Sequence, residues 1–142
     1  MRATDFAPFR ALNDCPMAMT AHVVYEAIDP EHPATTSAKI IREVIRGEIG
    51  FGGLLMSDDL SMKALGGSFA ERSRAALSAG CDILLHCNGS IDEMQAVAGE
   101  AAPLEDEAKV RAEKALAQLH APKPFDSAAA EARLAELLGA TV

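Results

Sequence analysis

Apolar positions along this chain fall into short uncharged runs separated by longer stretches with helical spacing. The run Met17-Ala18-Met19-Thr20-Ala21-His22-Val23-Val24 predicts a strand, entered from a loop at Cys15. Residues 26–36, with Pro30 and Pro33 among polar neighbours, predict a connecting loop. Ser37 is placed to cap a helix whose Ile40, Ile41, Val44 and Ile45 form one apolar stripe, and Gly50 marks its end. Residues 53–57 are the next strand, free of charge as a strand covered on both faces should be. Ser68 opens a helix through Phe69, Ala76 and Leu77 that stops at Gly80, and residues 81–88 predict a third strand. Ser90-x-x-Glu93 reads as a capping box for a helix with Ile91, Met94 and Val97 on one face. A helix ending near Leu119, a hinge at Pro122 and Pro124, and a last alanine-rich helix from Ser127 to Leu138 complete the chain.

Strands alternating with helices at a spacing of roughly 30 residues are the rhythm of right-handed βαβ units, so the fold class is α/β with parallel strands. Three such strands do not close a barrel, which takes eight. The pattern is that of an open sheet of three or four strands, or of part of a larger barrel. No glycine-rich phosphate loop follows any strand, and nucleotide binding therefore has no support.

Composition narrows the function. The 142 residues are 49% apolar and 24% charged, enough for one modest domain with a core. A formal net charge of -8 argues against a nucleic-acid partner and against an anionic membrane surface. No apolar run approaches a membrane span, and the first residues do not resemble a signal peptide. Cys15, Cys81 and Cys87 lack metal-ligand spacing, so reduced thiols in a cytoplasmic protein are expected, with no metal.

The chemistry concentrates at Gly53-Leu54-Leu55-Met56-Ser57-Asp58-Asp59-Leu60-Ser61. An apolar run delivers two carboxylates to the point where a buried strand ends, the position at which barrel enzymes hold their catalytic groups. Successive strand side chains point to opposite faces, so at most one of Asp58 and Asp59 faces a barrel mouth. Asp58 is then a candidate nucleophile or general base; the alternative is that both acids cap the following helix. Asp59 is expected to cap or to pair with Lys63, four residues on. Ser57 is expected to hydrogen-bond locally.

Residues 44–61, Val44-Ile45-Arg46-Gly47-Glu48-Ile49-Gly50-Phe51-Gly52-Gly53 running into the acidic strand, resemble the active-site signature of glycoside hydrolase family 3. Met19-Thr20-Ala21-His22-Val23-Val24-Tyr25 and Ser61-Met62-Lys63-Ala64-Leu65 are similar to the bacterial cytoplasmic β-N-acetylhexosaminidases of that family. The resemblance runs from about Leu12 to about Leu119; the family's usual Phe-Asp-Gly is here Phe51-Gly52-Gly53. It implies the C-terminal part of a TIM (β/α)8 barrel, with residues 1–120 as barrel and 121–142 as a helix packing on it. It also implies a retaining glycosidase without cofactor, with Asp58 as nucleophile. The implied substrate is N-acetylglucosamine linked to anhydro-N-acetylmuramic acid, with or without peptide, released in peptidoglycan recycling.

Family members run to more than twice this length. The resemblance places the sugar-binding residues, and the loop whose His acts as general acid and base, in the half with no counterpart here. None of the four histidines matches that loop. His22 is a candidate for lining the site or a packed, hydrogen-bonded strand-end residue, and His86 is read the same way; Asn88 is a candidate for reaching a sugar hydroxyl. Little activity is therefore expected of these residues alone. Open sheet edges would favour self-association, and a non-catalytic α/β module that self-associates or complements a separate N-terminal half is the alternative reading.

Overall fold

The computed structural model describes residues 2–139. Three parallel strands form one sheet in the order β1 (Met17–Met19), β2 (Leu54–Asp59), β3 (Ile83–Leu85). Met17 pairs with Leu54 and Met19 with Met56, and Met56 pairs with Ile83 before the β2–β3 register shifts toward Asp59 and Leu85. The βαβ rhythm is thus present, in the form of part of a (β/α) barrel. The outer strands are shorter than their apolar runs suggested. Residues 21–24 leave the ladder because their main chain pairs with the 34–35 turn instead, Thr35 N–H donating to Ala21 O at 3.2 Å and Ala34 N–H to Val23 O at 2.9 Å.

A short helix, α1 (Ala7–Arg10), precedes the sheet, and Ile40–Glu48 follows β1 as a π-helix in place of the expected α-helix. Its i→i+5 bonding extends to Ile49, whose N–H donates to Val44 O at 2.8 Å. The wider turn keeps Ile40, Val44 and Ile49 in one stripe, and Ile45 and Ile49 touch both apolar clusters of the protein. Ser37 caps this segment as expected: its Oγ accepts the Ile40 N–H at 3.1 Å and donates to Asp29 Oδ2 at 2.6 Å. That hydroxyl, with the amides of Glu31 and His32, holds the Asp29 carboxyl down at about 2.

Helix α2 (Phe69–Ala79) has the reciprocal Ser68–Glu71 capping box and ends at Gly80, whose φ of 113° is the left-handed conformation glycine adopts freely. The Ser90–Glu93 box does not form at α3 (Ile91–Ala98). Glu93 instead accepts the Asn88 side-chain amide at 3.0 Å and stands 3.5 Å from His86. Helices α4 (Asp106–Leu116) and α5 (Ser127–Leu137) complete the chain; neither has a buried residue.

The main core lies between one sheet face and the helices: Leu55, Leu60 and Phe51 meet Ile41, Ala76, Ala79 and Val97. Cys81 lies in it, and burial pushes its thiol up to about 12. Register pairs share a face, so Met17, Met19, Leu54, Met56 and Asp58 all belong to the other face. Met17 and Met19 are 43% and 53% exposed there. The apolar side that a closed barrel would fill is open.

Two adjacent glycines set the approach to β2 and differ in what they tolerate. A Cβ on Gly53 would lie 2.5 Å from Cys15 O and 2.7 Å from Pro16 O, whereas one on Gly52 would meet nothing within 4 Å. Gly53→Ala is expected to destabilise by about 1–3 kcal/mol through overpacking, and Gly52→Asp to stay within about 0.5 kcal/mol of wild type, in urea unfolding. Equal costs at the two positions would contradict this packing.

Candidate active site

At its lower end β2 is fixed by a partly buried ion pair. Asp82 Oδ2 accepts the Leu55 N–H at 2.8 Å and a bond from Arg46 Nη2 at 2.9 Å. Arg46 Nη1 also donates to the carbonyls of Phe51 and Gly53, at 3.1 and 2.7 Å. One guanidinium thus joins the turn before β2 to the residue before β3. Arg111 of α4 approaches the same carboxylate at 3.7 Å.

The upper end is where the strand outruns its neighbours. The last ladder bond to β1 is Thr20 N–H to Met56 O at 2.9 Å. The next amide on that side, Asp58 N–H, donates to the Thr20 hydroxyl at 3.2 Å instead of to main chain. Across on the β3 side, Ser57 Oγ accepts the Leu85 N–H at 2.9 Å, a cross-strand bond where a local one was expected.

The two acids are separated by this geometry. Asp59 is fully engaged: Oδ1 accepts from Ser61 N–H at 2.9 Å and Cys87 N–H at 3.1 Å, and Oδ2 accepts from Ser61 Oγ at 2.5 Å. The Ser61 hydroxyl foremost, with those two amides, holds its carboxyl below the usual range. Asp59 therefore ties the β2 turn to the end of β3, and its partners do not include Lys63. Asp58 points the other way, half-buried. Its carboxylate has a single partner among the described residues, the Asp59 N–H at 2.8 Å from Oδ1.

His22 is bonded at both ring nitrogens, Nδ1 to Thr35 Oγ1 at 2.8 Å and Nε2 to Asp59 O at 2.9 Å. Thr35 in turn meets Thr20 Oγ1 at 2.8 Å. Both threonines are buried, and sequence reasoning passed over both. Thr20 was read only as part of the strand run 17–24, and Thr35 follows Pro33 in a turn with no pattern to mark it. Asn88 lies beyond β3 with its amide occupied by Glu93 and by Gly89 N–H. His86 is enclosed against the edge of Phe69, with ring centroids 5.2 Å apart. Among the described residues no group of His, Cys, Asp and Glu has the arrangement to hold a metal ion.

The Asp59 turn has a pH signature. Its native carboxyl titrates below the unfolded one, so its contribution is full above the ordinary value of about 3.9 and fades as pH falls through the native value. The stability gap between wild type and Asp59→Asn, read by urea unfolding at stepped pH, is expected to be constant near neutrality and to close in acid. A gap unchanged at low pH would contradict the charged role of Asp59.

The arrangement is one carboxylate with a single hydrogen bond at the C-terminal end of a central parallel strand, with its neighbour committed to structure. Residues 1–119 match the model of the glycosyl hydrolase family 3 N terminal domain. A beta-hexosaminidase of Alkalilimnicola ehrlichii is 50% identical over 92 residues, 62% of this chain and 26% of the relative. That of Nitrosomonas eutropha is 39% identical over 139 residues, 89% of this chain and 40% of the relative. The chain therefore spans well under half the length of these relatives. Among solved structures, NagZ from Neisseria gonorrhoeae in complex with N-trifluoroacetyl-D-glucosamine superposes with a TM-score of 0.66 at 37% identity, over 80% of this chain and 34% of that one. The chain belongs to glycosyl hydrolase family 3.

Proposed function

We propose that this chain provides the nucleophile of a retaining β-N-acetylhexosaminidase, and that the nucleophile is Asp58. The observation that carries the reading is the division of labour at the end of β2: Asp59 is bound by three donors, and the Asp58 carboxylate accepts one bond on the open face. A carboxylate so placed can attack an anomeric carbon. The C1–O bond to the leaving group breaks as the ester to Asp58 forms, and water then cleaves that ester and returns the carboxylate. The crystallised Neisseria gonorrhoeae relative, in complex with N-trifluoroacetyl-D-glucosamine, supports an N-acetylglucosaminyl substrate. We place the natural substrate among N-acetylglucosaminyl-anhydro-N-acetylmuramic acid fragments of peptidoglycan recycling, in the cytoplasm. Among the described residues no helix is long and apolar enough to cross a membrane.

The leaving oxygen of such a substrate needs a proton, and no residue of this sequence is assigned to donate it. General acid catalysis contributes about 10²–10⁴ in rate, so these 142 residues alone are expected to turn over natural substrates barely at all. We further read residues 1–120 as the barrel portion and 121–142 as its helical appendage, and the free β1 edge as the place where another strand pairs.

Leaving groups separate the two halves of the chemistry. A 2,4-dinitrophenyl N-acetyl-β-D-glucosaminide departs without a proton, whereas a sugar leaving group does not. The chain is expected to cleave the dinitrophenyl substrate slowly, the 4-methylumbelliferyl one more slowly and the disaccharide negligibly, with Asp58→Ala reducing all to background. Turnover that survives Asp58→Ala would overturn the assignment.

A further inference from the structure

Four hydrogen bonds run from the amide of Asp58 to the carbonyl of Asp59 through three side chains that approach from the β1 side. They are Asp58 N–H to Thr20 Oγ1 at 3.2 Å, Thr20 to Thr35 at 2.8 Å, Thr35 to His22 Nδ1 at 2.8 Å and His22 Nε2 to Asp59 O at 2.9 Å. The two ends fix the direction of the chain. A carbonyl only accepts, so Nε2 carries a hydrogen; an amide only donates, so Thr20 Oγ1 accepts there. With Nδ1 bare, Thr35 donates to it and Thr20 donates to Thr35, and every hydrogen is used once. With Nδ1 protonated, Thr35 would have to accept from it, and the hydrogen of one of the two hydroxyls would leave the chain.

From this we infer that His22 is a positioning residue for Asp58, held in the Nε2–H tautomer by Thr35 and fixing the peptide that aims the carboxylate. The inference rests on the reading of Asp58 as nucleophile. The need for such a brace is visible in the sheet. The regular ladder to β1 ends at Met56, and the β2–β3 register is broken between Met56 and Asp59. The main chain that presents Asp58 is therefore fixed on the β1 side by side chains alone. Thr20 and Thr35 are 5% and 0% exposed, so the bond between them at the middle of the chain is shielded from water.

His22 never touches the sugar in this account, and its removal should alter the rate more than the binding. His22→Leu deletes both ring nitrogens. His22→Gln keeps a donor at the end of a side chain of similar reach, and should recover the bond to Asp59 O. With the dinitrophenyl substrate and the full 142-residue chain, His22→Leu is expected to lower kcat about 10–100-fold with KM within about twofold, and His22→Gln to restore most of it. Ring ¹⁵N spectra of the wild-type chain should show the Nε2–H tautomer at His22, and Thr35→Val should perturb both its Nδ1 signal and the Asp58 amide. The spectra decide the matter even where His22→Leu fails to fold. An Nδ1–H tautomer, a wild-type kcat in His22→Leu, or a His22→Gln no better than His22→Leu would each overturn the inference. Failure of the nucleophile reading looks different: turnover would persist in Asp58→Ala while the tautomer and its response to Thr35→Val remained as described.

Discussion

The acidic end of this sheet depends on where β2 is held, and side chains do much of the holding. With β1 and β3 each only three residues long, the ladder can align β2 but cannot fix it from end to end. Asp82 and Arg46 grip its start, Ser57 catches β3 in its middle, and Thr20, Thr35 and His22 close around its tip. Polar side chains can do this because every one of these groups has a partner of matching charge or hydrogen-bond sense. Removing the Arg46 guanidinium would free the carbonyls of Phe51 and Gly53 as well as Asp82, while Arg111 still stands 3.7 Å from that carboxylate.

That arrangement also explains how two adjacent carboxylates acquire different fates. Alternation along a strand sends Asp58 and Asp59 to opposite faces, but alternation alone does not make one of them available. Asp59 becomes structural because Ser61 lies two residues on and the Cys87 amide comes within reach across β3. Asp58 stays available because its face carries Met17, Met19 and Met56, which offer no donor. Availability at Asp58 follows from the neighbourhood as much as from the acid itself.

Much of the fold was legible in the sequence. The strand–helix rhythm, the Ser37 cap, the Ser68–Glu71 box and the Gly80 stop all depend on residues within a few positions of one another, and local chemistry decided them. What escaped was decided by contacts distant in sequence. The run 17–24 has the composition of one long strand, yet its second half departs because the carbonyls of Ala21 and Val23 accept from the amides of Thr35 and Ala34. Ser90 and Glu93 have capping-box spacing, but the Asn88 amide claims the glutamate first. The π-helical turn over Ile40–Glu48 serves two apolar clusters at once, and a single-face count of isoleucines contains no hint of the second. At the candidate site, the place of Asp58 at a strand end was readable from the sequence, whereas Thr35 comes near it only through folding.

The central claim is that Asp58 forms a covalent bond to the sugar, and mass spectrometry of a trapped intermediate tests it most directly. The reagent is an N-acetylglucosaminyl fluoride carrying a ring fluorine that slows release; its fluoride leaves without help from a general acid. The account predicts a mass increase of one fluorinated N-acetylglucosaminyl group, mapped by peptide sequencing to Asp58 and absent from Asp58→Ala. Labelling at Asp59 or elsewhere, or a chain that stays unlabelled, would contradict it.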